Sequence, residues 1–179
     1  ARCVGAGVWG WVVPPTEGGS ERGWGCGAWA VAELGIGVEV GPAQAVSQGI
    51  AALAVCDTTA ADGDNLAAMS GAASATRFGS VTVAGKEALT GAGWCHPGDA
   101  LGVVDGEVIA VGQDLAGVGS QVVASLLAGG GELLTIITGD GGGPELSAAV
   151  AASARQRGKV EVSILECGQP GHPLPPAVE

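Results

Sequence analysis

The sequence predicts an α/β fold, with helices packed on a largely parallel sheet, on three observations. From Val12 onward, apolar runs of strand length alternate with segments of helical period, the pattern of helices layered on a sheet. Glu132 to Leu165 reads as strand, helix and strand in succession, which is a βαβ unit and requires parallel pairing. Leu101 to Val111 places Asp105-Gly106 between two β-branched runs, which predicts one antiparallel hairpin near 101–111 because both turn residues tolerate positive φ.

Residues 1–11 form a poorly defined N-terminal segment, and residues 12–179 read as a single α/β domain. Gly5-Ala-Gly7-Val-Trp-Gly10 spells GxGxxG, but strand-like Trp11 to Val13 follows it, so no helix N-terminus is offered to a phosphate. Ser20 to Glu33 has helical spacing interrupted by Gly23, Gly25 and Gly27, each of which costs about 1 kcal/mol in a helix relative to Ala. Ile36 to Val40 reads as a strand, and Gly41-Pro42 turns the chain into a helix with Val46, Ile50, Leu53 and Ala54 on its expected inner face.

Asp62-Gly63-Asp64 can satisfy the free N–H groups at the start of another helix, whose inner stripe is Leu66, Met69 and Ala73. Phe78 to Val83 alternates as a strand does. Leu115, Val118, Val122, Leu126 and Leu127 form a helical stripe stopped by Gly129-Gly130-Gly131. Glu132 to Thr138 is then a buried strand. Pro144 and Glu145 open the next helix, Leu146, Ala149 and Val150 face inward, and Arg155, Arg157 and Gly158 close it. Lys159 to Leu165 is the last strand expected.

Seven Lys+Arg against 18 Asp+Glu give a net charge of −11, which leaves no basic surface to neutralise nucleic-acid phosphates. The hydrophobic fraction of 47% against 14% charged residues supports a packed core and excludes an acidic disordered chain. Gly41 to Cys56 and Leu115 to Gly131 are the longest uncharged stretches, and polar residues interrupt both, so no membrane span is expected. Cysteines 3, 26, 56, 95 and 167 are odd in number and form no CxxC pair, which points to reduced thiols and a cytoplasmic setting.

Asp57, Asp62 and Asp64 could attract Mg²⁺ through oxygen ligands, though turn and cap roles account for them. Cys95-His96 and Cys167 with His172 lack the second close pair that zinc requires, so no metal site is expected. Cys167 with His172 could form a nucleophile–base pair, but no orienting third group is visible, and no catalytic residue is assigned. Thr138-Gly139-Asp140 ends a parallel strand, where open α/β sheets place ligands. Gly141 to Gly143 lead from it to the Pro144 helix N-terminus, a place able to meet an anion.

Three segments in order carry a family likeness: Pro42-Ala-Gln-Ala-Val-Ser-Gln48-Gly49-Ile-Ala-Ala-Leu53, then Gly131-Glu132-Leu-Leu-Thr135-Ile-Ile-Thr138-Gly139, then Gly168-Gln169-Pro170-Gly-His172-Pro173-Leu174. Together they resemble the C-terminal region of the bacterial dihydroxyacetone kinase-like proteins associated with fatty acid kinase. Pro42-Ala43 stands where the family usually has Pro-Thr, and His172 where it has an aromatic.

The resemblance implies a DegV-like fold and a place in a longer protein with its own N-terminal kinase domain. It implies that ATP and Mg act in that kinase domain, with no cofactor in this chain. The implied partners are a DegV-type fatty-acid-binding protein and the kinase domain. The expected binding edge is Ser47, Gln48, Gly49, Thr138, Gly139, Asp140, Gly168, Gln169, Pro170 and His172. Two other readings stay open: an α/β domain binding an acyl chain or small ligand itself, and a hydrolase or phosphatase with its site at 138–143 and His172 as acid or base.

Overall fold

A computed structural model describes residues 2–4, 8–10, 45–57, 59–139, 141–166 and 173–179. The expected elements at Trp11–Val13, Ser20–Glu33 and Ile36–Val40 lie outside these residues. The chain divides into two compact units, Ala1–Thr76 and Arg77–Glu179.

In the first unit, β1 (Arg2–Val4) pairs antiparallel with β2 (Val8–Gly10), with Cys3 opposite Trp9. Two helices follow, α1 (Val46–Ala54) and α2 (Asp62–Ala75). The inner face of α1 is Ser47, Gln48, Gly49, Ala51 and Ala52, while Ile50 and Leu53 are exposed. This reverses the expected face. Small residues win the inside position because Ala52 packs against Met69 and Ala73 of α2, and short side chains let two helices approach closely. Asp62 and Asp64 stand in the first turn of α2, where their charge favours the positive end of the helix dipole. Neither is the N-cap, which is Ala61.

Cys56 is disulfide-bonded. The expectation of uniformly reduced thiols fails at this residue; spacing in the sequence carried no trace of the pair because distant cysteines meet only through the fold. Cys95 is free and buried.

The second unit holds the main sheet: β3 (Arg77–Val83), β6 (Ala100–Val104), β7 (Glu107–Gly112), β8 (Leu133–Thr138), β9 (Glu161–Glu166) and β10 (Pro176–Val178). Their order is β7-β6-β3-β10-β8-β9. The α/β class holds, but among the described residues the sheet is mostly antiparallel, with β8–β9 as its parallel pair. Placing β10 between β3 and β8 reverses the expected direction: the last strand enters antiparallel to both neighbours. Pro176 is its first residue, a position where the missing N–H removes no interior ladder bond.

The expected hairpin is β6–β7, with Asp105 at φ 52° and Gly106 at φ 82°, the left-handed pair of a two-residue turn. A shorter hairpin, β4 (Ala88–Thr90) with β5 (Gly93–Cys95), stands apart from the main sheet. Two helices, α3 (Leu115–Leu127) and α4 (Pro144–Arg157), line the sheet. Asp114 caps α3, its carboxylate accepting from the Ala116 and Gly117 N–H groups at 3.2 and 2.7 Å. The other end of α3 leads to the Gly130 carbonyl, which accepts from the Arg77 guanidinium, a cation suited to a helix C-terminus.

Val118, Val122, Val123 and Leu126 of α3, Val150, Ala151 and Ala154 of α4, and Val81, Leu134, Ile136 and Val178 of the sheet form one core. Close approach of α3 is set by glycine: a Cβ on Gly102 would stand 2.6 Å from Val122 Cγ2 and 3.0 Å from Val118 Cγ1. On α4 the buried residues are Ser147, Val150, Ala151 and Ala154, so the expected inner Ala149 is outside and Leu146 packs at the core's edge.

Candidate functional site

The βαβ unit predicted over 132–165 exists as β8, α4 and β9, in register from Leu133 opposite Glu161 to Thr138 opposite Glu166. Both strands therefore end on one edge, and α4 starts there. Thr138 and Gly139 lie at this edge and are buried. Gly139 donates its N–H to the Pro173 carbonyl at 3.1 Å, and Gly142 donates to the Gly139 carbonyl at 3.1 Å. The connection thus folds back on itself beneath the backbone of residue 173. A Cβ on Gly142 would collide with the Pro173 carbonyl, so this approach requires glycine.

The N-cap of α4 is Gly143, which has no side chain to accept from the first-turn N–H groups. Nearby, Thr138 Oγ1 is buried and has no hydrogen-bond partner. Leaving a buried hydroxyl unpaired costs about 1–3 kcal/mol, so this atom is a conspicuous feature of the edge. Asp140, Gly168, Gln169, Pro170 and His172, and the Cys167–His172 pair, lie outside the described residues.

Ser47, Gln48 and Gly49 belong to the first unit and are buried on α1. Gln48 Nε2 donates to the Thr76 carbonyl at 3.1 Å. In the folded chain all three residues lie on the buried face of α1.

The acidic residues considered for Mg²⁺ have structural occupations. Asp57 Oδ1 accepts from the Thr59 N–H at 2.8 Å and the Thr59 hydroxyl at 2.7 Å. These bonds, the backbone one foremost, hold the Asp57 carboxyl below its ordinary pKa. Cys95, the last residue of β5, is buried, while the adjacent His96 is exposed. His96 lies 3.6 Å from Asp99 and 3.9 Å from Glu87. Among the described residues no group of three or more His, Cys, Asp or Glu is arranged to hold a metal ion.

One surface feature was missed in the sequence. Leu89 and Trp94 are opposite each other on β4–β5 and are 68% and 62% exposed. The two-residue Gly91-Ala92 connection between short apolar runs was the signal that could have found this hairpin. No helix among the described residues is long and apolar enough to cross a membrane.

Residues 28–179 match the family model for the C-terminal domain of FakA-like fatty acid kinase proteins. The chain belongs to this FakA-like C-terminal family. The resemblance drawn from Ser47-Gln48-Gly49, Thr138-Gly139 and Gly168-Gln169-Pro170 identified the family correctly.

The fold of this FakA-like domain is similar to that of the Streptococcus pneumoniae Fatty Acid Kinase B3 protein loaded with linoleic acid, at 10% identity and TM-score 0.60, over 96% of this chain and 70% of that one. It is also similar to the dihydroxyacetone kinase of C. freundii, at 19% identity and TM-score 0.54. That likeness covers 97% of this chain but only 38% of the kinase. No curated protein matches the sequence significantly.

Proposed function

We propose that this chain is the carrier-docking and regulatory part of a fatty acid kinase-type phosphotransferase. In this reading it binds a DegV-type fatty-acid-binding protein and holds the acyl carboxylate near a separate kinase domain that uses ATP and Mg. There a carboxylate oxygen attacks the γ-phosphorus of ATP, the bond to the β–γ bridging oxygen breaks, and acyl phosphate and ADP form. The domain's own contribution is orientation: tethering carrier and kinase raises their effective concentration without new covalent chemistry.

The observation that carries this reading is the family match over residues 28–179, which makes the chain a domain of the fatty acid kinase type. The fold it shares with a fatty-acid-loaded Fak protein adds support. The proposed contact edge is Thr138, Gly139 and Asp140 with Gly168, Gln169, Pro170 and His172, in a cytoplasmic setting.

Gln169→Ala tests the edge. It is expected to weaken binding of a lipid-loaded DegV-type carrier, read by surface plasmon resonance, while leaving the thermal transition in place. Unchanged affinity would remove Gln169 from the contact.

The likeness to a protein loaded with linoleic acid favours a second reading, direct binding of an acyl chain by this domain. Mass spectrometry of organic extracts from the purified chain decides it: co-purifying fatty acid in near-stoichiometric amount supports it, and a lipid-free extract that stays lipid-free after incubation with oleate removes it.

A further inference from the structure

We propose that the end of β8 and the start of α4 bind a small oxyanion, a carboxylate or a phosphate, between the Thr138 hydroxyl and the Glu145 N–H. Pro144 has no N–H, and the Leu146 and Ser147 N–H groups already donate to the Gly143 carbonyl at 3.1 and 3.3 Å. Thr138 is 7% exposed and its Oγ1 has no hydrogen-bond partner. Side chains two residues apart on a strand share a face, so Thr138 lies on the face of Leu134 and Ile136. That face packs in one core with Val150, Ala151 and Ala154 of α4. The hydroxyl is therefore aimed to the α4 side of the sheet, at the end where α4 begins.

Three features make that end receptive. Gly143, the N-cap, offers no side-chain oxygen, and Glu145, at the second helical position, has an N–H without an intrahelical acceptor. The dipole places partial positive charge there. Gly143 is exposed, and a Cβ built on it would meet nothing within 4 Å, so the mouth beside the N-cap is open. A hydroxyl and an amide donor at the same end of the sheet call for an acceptor-rich ligand, and the dipole selects an anion. The Glu145 carboxylate in the same turn opposes it, which limits the ligand to a compact group and predicts that Glu145→Gln tightens binding. The inference stands independently of the docking reading.

The test is an NMR and thermal-shift titration of the full chain with inorganic phosphate, acetate and octanoate. Saturable shifts at the amides of Gly139, Gly143, Glu145 and Leu146 are expected with at least one of them. Saturation by phosphate alone assigns a phosphate source; saturation by acetate or octanoate assigns a carboxylate source.

Thr138→Val should weaken the effect by about tenfold or more. Gly143→Asp, whose carboxylate would cap α4 from within the chain, should abolish it while raising Tm. Should Thr138→Val fail to fold, Gly143→Asp decides alone. No saturable response to any of the three anions, or an undiminished one in Gly143→Asp, overturns the proposal.

Discussion

Gln48 Nε2 reaches the carbonyl of Thr76 at 3.1 Å across 28 residues of sequence, both residues buried. The bond ties α1 to the residue that ends α2, whose own hydroxyl donates to the Ala72 carbonyl at 2.9 Å. Gln48→Ala leaves the Thr76 carbonyl without this donor, and an unsatisfied buried acceptor costs about 1–3 kcal/mol. Urea denaturation should show a lower midpoint with an unchanged slope. A midpoint equal to the parent's would mean that the bond contributes nothing net.

At Gly102 the core leaves no room for a methyl group. Gly102→Ala would press on Val122, Val118 and Ala110 together, and overpacking of this kind costs about 1–3 kcal/mol. Differential scanning calorimetry should show a lowered Tm. Gly85→Ala, where a Cβ meets nothing within 4 Å, serves as the tolerant control.

The last strand is expected to be essential despite its length. Truncation after Pro175 removes β10 from between β3 and β8 and exposes both as unpaired edges. Circular dichroism should show loss of the cooperative thermal transition of the second unit. A truncated chain with the parent's Tm would contradict this placement.

The Asp57–Thr59 turn predicts a pH dependence of defined sign. Thr59 holds the Asp57 pKa below its ordinary value of 3.8 in the folded chain. A carboxyl depressed on folding stabilises above its unfolded pKa, and that contribution fades as pH falls through the folded one. Carbon-detected NMR should find Asp57 titrating below the ordinary carboxylate value, and Thr59→Val, which removes the hydroxyl bond and keeps the backbone one, should return it part of the way upward.

Where local signals decided the structure, the sequence was legible. Asp105-Gly106 specified its turn, Asp114 and the glycines after Leu127 bounded α3, and Pro144 opened α4, because each acts through its own backbone. The sheet's direction was not legible, since it depends on where the three residues Pro176–Val178 insert. A strand that short behind two prolines has no period to read.

The inner face of α1 was misread for a related reason. Apolar content favoured Ile50 and Leu53, but proximity to α2 favoured small side chains. The strand end at Thr138 and Gly139 was legible from the apolar run before it. The orphaned hydroxyl was invisible, because hydrogen-bond satisfaction is a property of the assembled fold.

Isothermal titration of the full chain with a DegV-type fatty-acid-binding protein, loaded with fatty acid, tests the docking account most directly. Saturable heat at a one-to-one ratio is predicted, weakened in Gln169→Ala. Absence of binding to the loaded carrier, by a chain shown to be folded in the same buffer, would contradict it.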